Sequence, residues 1–416
     1  MRHLLLLLVF APLAIGGEGG IDVGEELPLL ADGPGKGIQA TPDVAFGDGA
    51  YLVVWREGWH GKGGSARIYA ARVSADGKVL DPKGIEVSPC KDGVQEQPRV
   101  AFGGGVFLVV WQDLRNGKDC DVLAARVSPE GKVLDAEPIA VAADPRTQAL
   151  PAVASDGQGF LVVWQGLVGD EAAYRGFAAP VSAGGKAGAA IETGATPQPK
   201  VAWNGKNYLA VCGGAGFWAG EVRSVLLGAD GKPAGKPIPV LGGTKAAVFS
   251  LSVVPDRGWL VVSHRSPPDP WGWGGPGAMR AAVVGPDGRP ASPVKEEYPQ
   301  ARLPHWLDFG REKGKGATWP WGPSASAWAG KHSLVVWQRH HLGGEKWTNF
   351  ENCNLIAARV DGVTSLDPAG VPVAASDANE RRPALAADGT GGLLCVYERS
   401  SGEGVSRVAA RRIGVR

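Results

Sequence analysis

The sequence has almost no net charge: 43 Lys and Arg stand against 42 Asp and Glu, a formal charge of +1. Bulk electrostatics therefore offers no attraction to nucleic acid or to an anionic membrane. Helical patterning is missing too, because no stretch repeats apolar residues at the helical period. Cysteine is scarce, five in 416 residues, with no C-x-x-C and no His-rich metal spacing. After Leu4 to Ile15 no apolar run is long enough to span a bilayer. There is no Gly-x-Ser-x-Gly elbow, no Walker loop and no His-Glu-x-x-His. The sequence thus names no nucleophile, and neither a metal nor a cofactor is expected.

What is present is glycine (63) and proline (32), with strand-forming residues between them. That mixture reads as many short strands joined by tight turns. One unit returns along the chain. Val106 to Trp111 (Val-Phe-Leu-Val-Val-Trp) has near-copies at Tyr51 to Trp55, Phe160 to Trp164 and Ser333 to Trp337. Weaker echoes stand at Tyr208 to Cys212, Trp259 to Ser263 and Leu393 to Tyr397.

Repeat starts at Pro42, Pro98, Pro151, Pro199, Leu251, Pro323 and Pro383 are separated by 56, 53, 48, 52, 72 and 60 residues. Four strands in each of seven such periods predict an all-β fold: a single seven-bladed β-propeller of four-stranded antiparallel blades. The second strand of each unit is apolar at nearly every position, as a strand covered on both faces must be. The last unit stops after its third strand, so residues 25–31 are expected to supply the missing outer strand. Closing the ring in this way leaves no open sheet edge.

Residues 1–20 read as a signal peptide. Arg2 and His3 precede the apolar run, and Ala14-Ile15-Gly16 places small residues at the cleavage spacing. No cysteine follows the run, so a lipoprotein anchor is not supported; an uncleaved N-terminal anchor is the alternative. The propeller then occupies 21–416, and the expectation is a secreted or periplasmic monomer with no membrane span after cleavage. An exported protein permits a disulfide. Cys90 and Cys120 are the pair to test, since both should lie at one rim of adjacent blades, with free thiols as the alternative. Cys212 and Cys395 fall inside strand cores and read as small buried hydrophobes.

The repeats resemble secreted bacterial β-propeller proteins built from Pro-x-Val-Ala-x-x-Gly-x-x-Phe-Leu-Val-Val-Trp followed by Ala-Ala-Arg-Val-Ser-x-Asp-Gly. The pattern stands at Pro42 to Trp55 with Ala70 to Gly77, at Pro98 to Trp111 with Ala124 to Gly131, and at Pro323 to Trp337 with Ala357 to Val360. The resemblance implies the architecture and carries no activity, because this fold hosts many. The sialidase-type Ser-x-Asp-x-Gly-x-x-x-Trp box is not matched.

Unusual sequence gathers in the connections expected on one face of the fifth and sixth blades. These hold His264, Trp271 and Trp273, then His305, Trp306, Asp308, Trp319 and Trp321, then Arg339, His340, His341 and Trp347. Tryptophan faces stack on sugar rings, and Arg, His and carboxylate groups bind hydroxyls and charges. The expected function is an exported binding or interaction module for a polysaccharide or an exported protein. The alternatives are a glycan-acting hydrolase or lyase using the same face, or a structural envelope protein. A competing role for these tryptophans is to pack the long loops themselves. Asp113, Asp119 and Asp121 offer oxygen donors but lack a calcium-loop spacing. Recurrent Arg72, Arg126 and Arg359 are expected to pair with turn carboxylates such as Asp76 or Glu130. Recurrent Trp55, Trp111, Trp164 and Trp337 are expected to pack between blades.

Overall fold

A computed structural model describes residues 20–30, 37–58, 64–89, 93–169, 173–194, 199–213, 221–241, 246–265, 278–291, 318–319, 323–341, 353–401 and 405–416. All its regular structure is β, in seven antiparallel sheets. Every sheet repeats one plan. In blade 2 the chain runs from the inner strand Gln95–Gly103 through Val106–Asp113 and Asp121–Val127 to the outer strand Ile139–Ala142. The inner strands of the other blades are Gln39–Gly47, Gln148–Ser155, Lys200–Trp203, Ala246–Val254, Ser324–Trp328 and Asn379–Ala387. Blade 5 shows three strands among the described residues.

The sheets close into a ring. Seven apolar clusters are each shared by two neighbouring blades, and one of them joins blade 7 to blade 1. In that one, Tyr51, Val53 and Trp55 of blade 1 meet Leu394, Val396 and Ala410 of blade 7. The second strands are buried on both faces, which is why they read as continuous apolar runs. The outer strand of blade 7 comes from the N-terminal region. It is Ile21–Pro28, antiparallel to Val405–Val415, with Ile21 opposite Val415 and Pro28 opposite Ala409. The closing strand thus begins four residues before the expected Glu25 and ends at Pro28. Residues 1–19 lie outside the described residues.

The repeated prolines mark a bulge rather than a strand start. Thr41, Gln97, Leu150 and Arg382, each just before a proline, have φ of 53°, 54°, 53° and 50°. The ladder slips at the same place in these four blades, for example between Ala40 and Asp43 and between Glu96 and Arg99. A residue before proline is normally extended, so this left-handed turn must be held from outside. The preceding blade holds it. The Leu150 N–H donates to Gln112 Oε1 at 3.1 Å, and the Arg382 N–H donates to Gln338 Oε1 at 2.8 Å. Both acceptors directly follow a buried second-strand tryptophan.

The recurrent arginines also tie blade to blade, through partners other than Asp76 and Glu130. Arg126 forks onto Asp135 (Nη2 to Oδ1, 2.7 Å) and donates from Nη1 to the Ala183 carbonyl of the next blade at 3.0 Å. Arg72 does the same with Asp81 and Pro129, and Arg359 with Asp367 and Arg416. The partner is an aspartate eight or nine residues on, past the turn. The turn glycine beneath the guanidinium is needed for space as well as conformation. Gly131 has φ of +85°, and a Cβ there would lie 2.8 Å from Arg72 Nε.

Candidate functional site

In each blade the connection between second and third strands opens on the same face as the entry to the inner strand. On blade 5, His264 sits one residue from the end of Gly258–Arg265, opposite Ala247 on one side and Met279 on the other. On blade 6 the second strand is Ser333–His341. It runs on through Arg339, His340 and His341, so these three are strand residues rather than members of the expected connection. Arg339 is half-buried and lies opposite Asn354, and His340 lies opposite Cys353.

A short strand, Thr318–Trp319, returns to this extension. Trp319 is in register with His340 and Thr318 with His341. The connection into blade 6 is therefore anchored on the same second strand that Ser324–Trp328 pairs with further down. The structure brings together Trp319, His340 and His341, with His264 at the corresponding strand end of the adjacent blade. Trp271, Trp273, His305, Trp306, Asp308, Trp321 and Trp347 lie outside the described residues.

Beneath this face, sequence reasoning missed a polar seam between the inner strands of blades 5 and 6. Ser250 Oγ and Ser324 Oγ are 3.4 Å apart. Ser252 and Ser326 continue the seam, and their buried hydroxyls have no hydrogen-bond partner among the described residues. The corresponding positions of the other blades are mostly alanine and valine, such as Val44 and Ala45 or Val100 and Ala101. Alignment of the degenerate fifth unit at residue level was the missing signal. Buried hydroxyls without partners are sites for water or a polar ligand.

The carboxylates at the second connection of blade 2 are used structurally. Asp113 is buried and accepts from the Trp111 indole at 2.8 Å, from Arg115 Nη2 at 2.7 Å and from Gln95 Nε2 at 3.1 Å. Burial alone would raise its pKa; the Arg115 and Trp111 hydrogen bonds outweigh that and hold it below the ordinary value. Asp119 and Asp121 share the Asn116 amide at 2.7 and 3.2 Å. Among the described residues no group of three or more His, Cys, Asp or Glu is placed to hold a metal ion.

Trp55, Trp111, Trp164 and Trp337 all belong to inter-blade clusters, as their recurrence implied. Trp164 also stacks on Phe177, centroids 5.9 Å apart, and donates to Gln148 Oε1 at 2.7 Å. Both rings border a groove on blade 3 whose other walls include Arg146 and Leu167. Cys120 carries a free thiol, pushed up to about 11 by burial and by the nearby Glu96, Asp121, Asp119 and Asp113. Cys90 lies outside the described residues.

No family model and no curated protein matches the chain. Among solved structures it is similar to a protein of unknown function from Dyadobacter fermentans, at 13% identity and a TM-score of 0.48, over 95% of this chain and 100% of that one. It is also similar to the GH43_1 enzyme from Xanthomonas citri complexed with xylotriose (15% identity, TM-score 0.40, 66% of this chain and 94% of that one). A third is the Trypanosoma rangeli sialidase (9% identity, TM-score 0.46, 90% of this chain and 55% of that one). Likeness at this level says nothing of site or substrate, and the propeller assignment rests on the sheet order and ring closure. Among the described residues no helix is long and apolar enough to cross a membrane.

Proposed function

We propose that the protein is an exported β-propeller binding module whose loop-bearing face over blades 5 and 6 holds a polysaccharide. The observation that carries this reading is the register of Trp319 with His340. It pairs the backbone of Trp319 with the second strand of blade 6, beside the strand end that bears His264. Rigid strands are better platforms for recognition than free loops, and indole with imidazole is the chemistry that stacks on sugar rings and bonds their hydroxyls. The unpartnered Ser326 hydroxyl beneath the same two blades adds polar capacity. The protein acts as a monomer, and the ligand leaves unchanged.

A glycan and polysaccharide array tests this with the mature protein, a Trp319→Ala variant and a His340→Ala variant, each checked for an unchanged β-sheet circular dichroism spectrum. Binding by the native protein that weakens in both variants supports the site. Absence of glycan binding, with an exported protein recovered instead on the same face, would move the partner to a protein. Binding untouched by either substitution would place it elsewhere.

A further inference from the structure

The seven inner strands face a common axis, and one residue of each lies opposite the residue that precedes the second-strand position held by Trp55, Trp111, Trp164, Cys212, Ser263, Trp337 and Tyr397. Asp43 faces Val54, Arg99 faces Val110 and Lys200 faces Val211. In the other four blades this layer is Ala152, Ser250, Ala325 and Ala384. Three charged side chains thus share one level of the axis with four small ones.

The three charges meet across the ring. Lys200 of blade 4 lies within the field of Asp43 of blade 1 and of Arg99 of blade 2. Blades 1 and 4 are not neighbours, so both side chains must reach into the axis. The only carboxylate of the layer is already engaged, because Asp43 Oδ2 accepts the Val100 N–H at 3.0 Å. Arg99 spends Nη1 on the Pro98 carbonyl at 2.6 Å and Nη2 on Gln97 Oε1 at 3.4 Å. Among the described residues neither Arg99 nor Lys200 has a carboxylate within ion-pair distance. Two half-buried cations therefore share one anion. On blade 5, Ser250 belongs to the same layer, and Ser252, two residues on, is 7% exposed with an unpartnered hydroxyl.

We propose that the axis of the ring is an anion-binding site, in which Arg99 and Lys200 hold an oxyanion (a carboxylate, sulfate or phosphate group) and the Ser252 hydroxyl donates to it. The cations supply charge-assisted hydrogen bonds in a region of reduced water access, where such bonds are strongest. Four small residues in the layer leave room for the group. Asp43 balances one of the two charges and keeps the pair from repelling freely. This site is separate from the face of blades 5 and 6 and stands without it.

Protonation offers an independent handle. Burial, and after it the Arg99 charge, pushes the Lys200 amine down to about 8, with Asp43 opposing. Asp43 and Arg99 are the charged groups facing it. The flanking inner strands, Gln148–Ser155 and Ala246–Val254, carry no ionisable side chain. Since the anion needs the ammonium form, affinity should fall as pH rises through that value, and binding there should take up a proton.

The test is isothermal titration calorimetry of the full mature protein with sulfate, inorganic phosphate and galacturonate, at neutral pH and again above pH 8. Arg99→Gln and Lys200→Met should each weaken binding by about tenfold or more, the loss of one charge-assisted bond. Asp43→Asn keeps an acceptor for the Val100 N–H and removes the competing charge, so it should tighten binding. A purely structural cluster would not give that opposite sign. Galacturonate alone binding would place the site on an acidic sugar; sulfate and phosphate binding alike would make it a general oxyanion site. Silence of the native protein with all three anions would overturn the proposal. So would affinity unchanged in Arg99→Gln and Lys200→Met proteins that keep the native unfolding midpoint.

Discussion

The Thr41 N–H donates to Glu398 Oε1 at 2.6 Å, joining residues 357 apart in sequence across the boundary of blades 1 and 7. It is the bond that Leu150 makes with Gln112 and Arg382 with Gln338, placed at the ring's seam. Thr41 is the strained residue before Pro42, and its amide is largely buried, so Glu398 has to supply what solvent does not. Glu398→Ala should destabilise the fold by about 1–3 kcal/mol, the penalty of an orphaned buried donor. Glu398→Gln, which keeps an acceptor, should lose clearly less. Urea unfolding midpoints compare the two, and equal losses would contradict the latch.

Removing residues 21–28 should open blade 7. The third strand, Val405–Val415, would become an unpaired edge, and Tyr397 would lose the Glu26 carboxylate to which its hydroxyl donates at 2.6 Å. Open edges template association. Size-exclusion chromatography with light scattering should find the mature protein monomeric and the truncated one in larger species. A truncated protein that stays monomeric with an unchanged unfolding midpoint would contradict this closure.

The arginine ties predict an order among substitutions. Arg126→Lys keeps the charge but cannot fork onto Asp135 while reaching the Ala183 carbonyl, so it should lose most of what Arg126→Ala loses, about 2 kcal/mol. Gly131→Ala should also destabilise, because its Cβ would press on Arg72 Nε and its φ is positive. Urea midpoints of the three variants test this, and a neutral Arg126→Lys would refute the fork.

Stability should peak at mildly acid pH. Glu380 is fully buried, and burial raises its pKa against the bonds from Ser376. A carboxyl raised in the folded state binds more protons than in the unfolded chain, so stability falls as pH climbs from about 4.5 through the folded value. Asp367 goes the other way. Burial would raise it, but the Arg359 side-chain and backbone bonds prevail and lower it, so its contribution is present above the unfolded value near 3.8 and lost as pH falls through the folded one. Unfolding followed from about pH 3 to pH 8 should show a dome, and Glu380→Gln should flatten its neutral side. A variant curve parallel to the native one would refute the assignment.

At neutral pH the Cys120 thiol should alkylate slowly, because a group held near 11 is almost all protonated, and the rate should climb with alkaline pH. Recovery of a Cys90–Cys120 peptide by non-reducing mass spectrometry would show instead that the two pair.

The ring was legible because each blade repeats one demand. A strand covered on both faces must be apolar throughout, and Phe107 to Trp111 announces that without reference to the rest of the chain. The prolines were legible as punctuation but not in meaning, since a left-handed residue before proline is what local preference argues against. At Leu150, Arg382 and Thr41 it is held by Gln112, Gln338 and Glu398 reaching over from another blade. The aspartate partners of Arg72, Arg126 and Arg359 were hidden for a similar reason: the chain must turn first to bring Asp81 back beside Arg72. Likewise Asp43, Arg99 and Lys200 stand in three separate repeats, and only ring geometry places them at one level. On the face of blades 5 and 6, His340 and His341 were recognised as residues of interest, but their strand was not, because Trp319, which pairs with it, belongs to a connection without a counterpart in the other repeats.

Recognition of a glycan without conversion is decided by one binding isotherm. It uses a glycan found on the array, the native protein and a variant with Trp271, Trp273, Trp319 and Trp321 changed to alanine, and the bound glycan is recovered and sized. Saturable binding by the native protein is expected, with a loss of about tenfold or more in a variant with an unchanged unfolding midpoint, and glycan of unaltered length. Full affinity in the variant, or glycan returned shorter or with unsaturated ends, would contradict it.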